Sequence, residues 1–364
     1  MFLFRADGNP NIGAGHIMRC LSIADAAFAV GIPCLFVMAD EIFISTIAGR
    51  GHQAAVLDTD YSCMEEELKR GLFERIIRER HPSALIVDSY FVTYQYLLSL
   101  KKLCNEISCK LIYLDDVLAF PYPSDYLVNY NIYGPDKEME YENMYFGAAK
   151  EEVPRFLLGT AFTPLRAEFQ NLPRRRVKQQ AKDIFLSTGG SDPEHMGLKL
   201  VEYIRSCTDE SRRLDKFHFH LVIGGLNQDM DRIRKIAQGI SNITLHCNVI
   251  YMQKLMSSCD VAVSAAGSTL YELCATQTPV ITYILADNQI PGATGFEKHN
   301  VLTCCGDVRL EGAGKMARNV IEAAVQLADN YEERVRIASA QKRIVDGKGA
   351  GRIVEILMQK NKTI

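Results

Sequence analysis

The chain has 364 residues, enough for two domains at roughly 150 residues each. Lys plus Arg number 41 and Asp plus Glu 44, a formal net charge of −3, so no surplus of cations grips a nucleic-acid backbone or an anionic lipid surface. At 48% hydrophobic and 23% charged residues, the composition excludes disorder, coiled coil and collagen. The 11 cysteines are an odd number without a CxxC pair, and Cys34 and Cys274 lie inside apolar runs. Free thiols in a reducing compartment are expected. No signal-peptide pattern opens the sequence, and no apolar run approaches the roughly 18–20 residues of a bilayer span, so the cytoplasm is the expected location.

In chain order, the first half predicts strands at 2–7, 34–39, 54–58, 84–89, 111–115 and 126–131. A helix from His16 to Val30 carries Ile17, Leu21, Ala24 and Phe28 at helical spacing and is punctuated by Gly31 and Pro33. Several strands are apolar throughout rather than alternating, the mark of buried parallel strands. The stretch 163–182 is polar, proline-bearing and basic, and reads as a linker whose Arg174–Arg175–Arg176 run is solvated. Further strands are predicted at 183–188, 217–224, 243–247, 261–265, 280–285 and 301–305. The last 35 or so residues read as helical, interrupted by Gly347, Gly349 and Gly351. The predicted fold class is α/β: two Rossmann-like domains, residues 1–165 and 166–364, facing across a cleft.

Chemistry concentrates at strand ends. After the first strand, Gly13, Gly15, His16 and Arg19 form GxGHxxR, which is neither a dinucleotide fingerprint nor a P-loop, so no cofactor is implied. Gly13 and Gly15 permit a tight turn and close backbone approach to a ligand, and Arg19 is expected to bind substrate. His16 falls near a helix N-terminus, where the dipole disfavours imidazolium; it reads either as a base or as a cap for the turn. Asp88–Ser89–Tyr90 and Asp115–Asp116 end neighbouring strands on the same rim, as reactive groups or as ordinary caps and packing.

In the second half, the loop Ser187–Pro193 with Gly189 and Gly190, and the loop Ser264–Glu272 with Gly267, Ser268 and Thr269, each join a strand to a helix and suit a diphosphate. Glu272, in the first helical turn, serves either the macrodipole or a ribose diol. Asn288 and Gln289 close a strand with amides able to read sugar hydroxyls. His218 and His220 alternate along a strand as a core or solvent-facing pair, and His195 reads as a surface or capping residue, so no metal site is expected.

The segments RAD and IGAGHIMRCLSIADA, then DSY, YLVNYN and FLLGTAFTPLRAEF, then STGGSDP and SAAGSTLYELCATQTPVITYILADNQ, resemble in order a nucleotide-sugar hydrolase family. That family acts in pseudaminic acid biosynthesis on UDP-2,4-diacetamido-2,4,6-trideoxy-β-L-altropyranose. The resemblance implies a glycosyltransferase-B architecture, a UDP-sugar substrate and no metal. It further implies His16 as base toward a water attacking the anomeric carbon with inversion, Tyr90 and Asn288 beside the sugar, Glu272 on the ribose, and Gly267, Ser268 and Thr269 on the diphosphate. Ala14 replaces a threonine usual in that family, and residues 133–154 lack a clear counterpart. The second half is also similar to the lipid-linked N-acetylglucosaminyl transferase of peptidoglycan synthesis, so a UDP-sugar glycosyltransferase is the alternative. The mixed charge around residues 63–80 does not suit a membrane-docking helix. A non-enzymatic nucleotide-sugar binding module is a third class.

Overall fold

A computed structural model describes residues 1–9, 11–211 and 213–359; the last five residues of the expected second domain lie outside the described residues. Short apolar strands such as FLFRA, CLFVM and ALIVD are buried along their whole length, which requires helices on both faces. The first sheet contains β1 (Phe2–Ala6), β2 (Cys34–Met38), β3 (Gln53–Val56), β4 (Ala84–Asp88), β5 (Lys110–Leu114), β6 (Tyr126–Asn129) and β7 (Arg155–Leu158). Its order is β3-β2-β1-β4-β5-β6-β7, with every pairing parallel. The second contains β8 (Asp183–Ser187), β9 (His218–Ile223), β10 (Ile243–Cys247), β11 (Val261–Ala265), β12 (Val280–Ile284) and β13 (Leu302–Asp307), in the order β10-β9-β8-β11-β12-β13.

Each sheet is wound outward from its first strand and then resumes on that strand's other side. The chain therefore reverses direction between β1 and β4, and again between β8 and β11. At such a switch point the loops leaving the two central strands part, and the carboxyl ends of the strands open onto a crevice. The GxGHxxR loop follows β1 and Asp88–Tyr90 ends β4; the GGSDP loop follows β8 and the AGST loop follows β11. All four motifs thus occupy the switch points of their sheets.

Contacts divide the chain into two compact units, Met1–Ala167 with Gly347–Ile364, and Glu168–Asp346. Leu3, Val37, Leu85, Val87 and Leu111 centre the first core. In the second, the helix Ala313–Asp329 lays Met316, Ala317, Val320, Ile321 and Ala324 on the strand residues Val263 and Ile281.

Three features depart from the sequence expectations. β7 is an additional strand, too short and too exposed at Arg155 to stand out in the sequence. The segment 133–154 before it includes the helix Glu138–Met144, whose buried Tyr141 donates to Asp115 at 2.5 Å. The expected second domain, 166–364, also differs from the observed division, because the helix Gly349–Met358 packs on the first unit's helix Gly15–Ala29. Burial of Ile353, Val354 and Leu357 drives that return. Lys110 Nζ fixes the helix end by donating to the carbonyls of Leu357 at 2.9 Å and Gln359 at 2.6 Å.

The Arg174–Arg176 stretch is not a loose tether either. Arg175 donates to the Thr278 hydroxyl at 3.0 Å and to the carbonyls of Ser257 and Cys259, while Arg334 holds the carbonyls of Lys178 and Gln179 at 2.8 and 3.0 Å. A charge run reads as solvated only until buried carbonyls claim one of its members.

The last helix yields a test. A Cβ at Gly349 would stand 2.2 Å from the Thr163 carbonyl oxygen, whereas one at Gly351 meets nothing within 4 Å. Gly349→Ala is expected to destabilise the protein by about 1–3 kcal/mol. Gly351→Ala, inside the helix, should instead stabilise it by about 0.5–1 kcal/mol. Urea unfolding of the two variants reads both signs.

Candidate active site

The first switch point is built from β1 and β4. Gly13 adopts φ +75°, a conformation that disfavours any residue with a Cβ, and pairs with Asn9 in a two-way backbone bridge. Asn9 Oδ1 accepts from the amides of Asn11 and Ile12 at 2.9 and 3.1 Å, so the loop is an Asx turn that delivers the chain into the helix Gly15–Ala29. Among the described residues, nothing beyond its chain neighbours and its own helix backbone lies within 4 Å of a Cβ placed on Gly15.

His16 and Arg19, three residues apart, share one face of that helix. Both face Asp88, the last residue of β4, which is fully buried. His16 Nδ1 lies 2.6 Å from Asp88 Oδ1, and the Arg19 guanidinium grips both carboxylate oxygens, with Nη2 2.5 Å from Oδ1 and Nε on Oδ2. Burial alone would raise the carboxyl pKa of Asp88, but Arg19 first and His16 second outweigh it and hold Asp88 well below the usual carboxylate range. Asp88 is therefore an anion that accepts from Nδ1–H, which leaves the lone pair of His16 on Nε2. Arg19 Nη2 is also 2.9 Å from Nδ1, but a protonated Nδ1 cannot accept from it.

Neighbouring strands complete the rim. The Tyr130 hydroxyl, just past β6, accepts from Arg19 Nη1 at 2.9 Å. Asp116, just past β5, lies 3.5 Å from the same nitrogen and accepts from the Tyr90 hydroxyl at 3.0 Å. The Tyr90 ring stands edge-on to the His16 imidazole with centroids 4.6 Å apart, and Tyr90 is 39% exposed. An oriented imidazole beside an accessible phenol is thus set into a rim whose remaining charges are paired.

The second switch point is different in kind. Gly189 takes φ +86°, and the carbonyl of Gly190 lies so close to Gly224 that a Cβ there would stand 2.2 Å away. Asp192 Oδ1 and Oδ2 accept from the amides of Met196 and Gly197 at 2.9 and 2.8 Å, opening the helix Met196–Ser211. Burial raises the carboxyl pKa of Asp192, against these hydrogen bonds. On the other central strand, Ser268 occupies the N-cap of the helix Thr269–Ala275 without spending its hydroxyl there, and Glu272 lies in the first turn. Gln289 Oε1 accepts from the Leu285 amide at 2.9 Å, and its Nε2 approaches Gly267, 4.0 Å from where a Cβ would be. Asn288 is exposed on the same strand-end turn.

The first unit thus gathers Gly13, Gly15, His16, Arg19 and Tyr90, and the second Gly189, Gly190, Gly267, Ser268, Thr269, Glu272, Asn288 and Gln289, each set at its own switch point. Arg19, read from sequence as substrate-binding, spends its donors on Asp88 and Tyr130. The sequence left Asp88 and Asp116 as two acids among several; Tyr130 gave no distinct signal. His195 lies at the surface with Nδ1 2.5 Å from Asp229 Oδ2. His220 lies between Asp183 and His246, at 3.2 and 3.1 Å, and among the described residues no three His, Cys, Asp or Glu side chains group as a metal site. No described helix is long and apolar enough to cross a membrane.

No family model matches the chain. A Methanocaldococcus jannaschii protein known only as uncharacterized is 24% identical over 298 residues, 78% of this chain, which spans 55% of that protein's length. The UDP-2,4-diacetamido-2,4,6-trideoxy-β-L-altropyranose hydrolase of Campylobacter jejuni is 24% identical over 81% of this chain and 96% of its own. A Bacillus subtilis spore coat polysaccharide biosynthesis protein is 22% identical over 97% of this chain and 96% of its own. Among solved structures, MurG of Acinetobacter baumannii superposes with a TM-score of 0.62 over 99% of both chains at 10% identity. The UDP complex of Staphylococcus aureus MnaA does so with a TM-score of 0.60 over 97% of this chain and 94% of its own at 12% identity. The fold is therefore the glycosyltransferase-B fold, and the chain is related in sequence to nucleotide-sugar hydrolases.

The depressed carboxyl of Asp88 sets a pH dependence. Its contribution to stability is complete above the unfolded carboxyl value of about 3.9 and is lost as pH falls toward the lower folded value. Asp88→Asn, which strands Arg19, is expected to cost about 3–5 kcal/mol near neutrality. That deficit should shrink as pH falls below about 4. Urea midpoints of the two proteins measured against pH would show the curves converging on the acid side; a constant gap would mean that Asp88 does not carry the charge.

Proposed function

We propose that the chain hydrolyses a UDP-linked 2,4-diacetamido-2,4,6-trideoxyhexose in the cytoplasm, releasing UDP and a free sugar for nonulosonic acid synthesis. The observation that carries the reading is the His16–Asp88 pair. A carboxylate on Nδ1 fixes the tautomer and leaves Nε2 as a base at a strand-end loop. The relationship to the Campylobacter hydrolase, over 81% of this chain and 96% of that protein, supplies the substrate class.

In this reading His16 Nε2 takes a proton from water, and the resulting oxygen nucleophile bonds to the anomeric carbon from the face opposite UDP. The bond from that carbon to the diphosphate oxygen breaks, its electron pair leaves with UDP, and the configuration inverts. Asp88 balances the imidazolium formed, as the buried acid of a catalytic triad does. Arg19 acts through Asp88 as a positioning residue. Tyr90 and Asn288 flank the sugar, Glu272 accepts from the ribose diol, and the backbone amides at Gly267, Ser268 and Thr269 hold the diphosphate. The small residues Gly13, Gly15, Gly189 and Gly190 admit the substrate's close approach, and Gln289 braces the diphosphate loop. A nucleoside diphosphate is a good leaving group, so amide donors suffice and neither a general acid nor a metal is required.

The glycosyltransferase reading keeps the same donor and replaces water by a sugar hydroxyl. The fold neighbours favour it, since the kitacinnamycin glycotransferase and the spinosyn rhamnosyltransferase of that architecture are transferases by name.

Incubation of the purified chain with the UDP-diacetamido sugar, followed by NMR, should show UDP and the inverted free sugar without any acceptor. His16→Ala and His16→Gln should lower turnover by about 10²–10⁴-fold while UDP still binds. Release of UDP only after an acceptor is added would establish the transferase instead.

A further inference from the structure

The second unit contains a groove that plays no part in this chemistry. The helix Tyr331–Ile344 forms one wall with Tyr331, Val335, Ala338 and Lys342, and the stretch Arg174–Val177 forms the other, leaving a half-open groove of about 650 Å³. Five of the residues around it, Arg174, Arg175, Arg176, Lys342 and Arg343, are cationic, and none is acidic. Arg175 is committed inward to the Thr278 hydroxyl and to backbone carbonyls, which fixes the stretch against the domain. Arg174, Arg176, Lys342 and Arg343 are exposed and form no ion pair among the described residues.

That lack of partners is local. On the same helix Arg336 pairs with Glu333 at 2.6 Å, and the protein as a whole is slightly acidic. Four unpaired cations gathered on one concavity raise its potential, because like charges sharing a cavity reinforce one another's field and are relieved by a bound anion. Arg forks match phosphate oxygens two at a time. Its volume falls in the range of about 300–1,000 Å³ usual for small-molecule sites. Val177, Val335, Ala338 and the Tyr331 ring give it an apolar side suited to an organic body. An extended nucleic acid, by contrast, would meet the net charge of −3 beyond the groove.

We propose that this groove is a second ligand site, for a small organic molecule bearing two or more phosphate groups. It is independent of His16 and of the loops at the two switch points.

Calorimetric titration with inorganic tripolyphosphate tests the charge recognition. The wild type should bind it, more weakly as salt is added. Arg174→Glu combined with Arg343→Glu should lose at least about tenfold in affinity, and the neutral pair Lys342→Gln with Arg343→Gln should lose less. Both variants should keep the wild-type thermal midpoint and, without tripolyphosphate, the wild-type rate of UDP release. Indistinguishable isotherms for the three proteins overturn the site. So does co-sedimentation with phosphatidylglycerol vesicles that only the glutamate variant loses while tripolyphosphate binding stays the same, since the groove would then be a membrane contact.

Discussion

A carboxylate buried at the end of a strand is the constraint on which the first unit is organised. Asp88 closes β4 with no exposure to water, and an anion there is tolerated only with its partners in place. The partners come from one helical face, His16 and Arg19, so the docking angle of the helix Gly15–Ala29 is tied to the charge of β4. Tyr130 and Asp116 then secure Arg19 from beyond β6 and β5. Folding the unit and orienting the imidazole are thus one event. The helix that sets His16 cannot settle without satisfying Asp88, and its outer face is covered by the chain's own last helix, Gly349–Met358.

Much of this was legible in the sequence because parallel strands advertise themselves. FLFRA, CLFVM and ALIVD are apolar on both faces, and Gly-rich loops mark where they end. The GxGHxxR spacing also put His16 and Arg19 on one helical face. What no spacing reveals is what that face meets. Arg19 reads as a cation awaiting an anionic substrate, and only packing shows that a buried aspartate 69 residues away already holds it. β7 was hidden for the opposite reason: four residues with an exposed Arg155 carry too little pattern. The return of the last helix to the first unit is a matter of which apolar stripes are complementary, a property of two surfaces rather than one segment.

The two sheets share a winding and divide the labour. The first switch point carries groups that titrate or donate, each oriented by another side chain. The second carries glycines and small hydroxyls, with Asp192 capping the helix that follows one loop and Gln289 holding the Leu285 amide beside the other. Such a division suits a reaction in which one partner loses a proton and the other departs as an anion. The base needs a neighbouring negative charge to stabilise its protonated form, whereas the departing group needs donors and no negative charge nearby. In the proposed reaction, Asp88 against His16 and backbone amides on the other sheet would keep those two requirements on separate scaffolds.

The same logic bears on how a chain of net charge −3 would handle phosphate in the two proposed ways. Where phosphate is a leaving group, permanent cations would hold the product as firmly as the substrate, and binding that is equal in ground and transition states gains no rate. In the proposed reaction, amide dipoles near the bridging oxygen would favour the charge that develops there and leave the rest weakly held. Where phosphate is only to be recognised, retention is no penalty and arginines are the better device. The proposed roles of the small-residue loops at the switch points and of the arginine groove follow that distinction, each with the donors its task would call for.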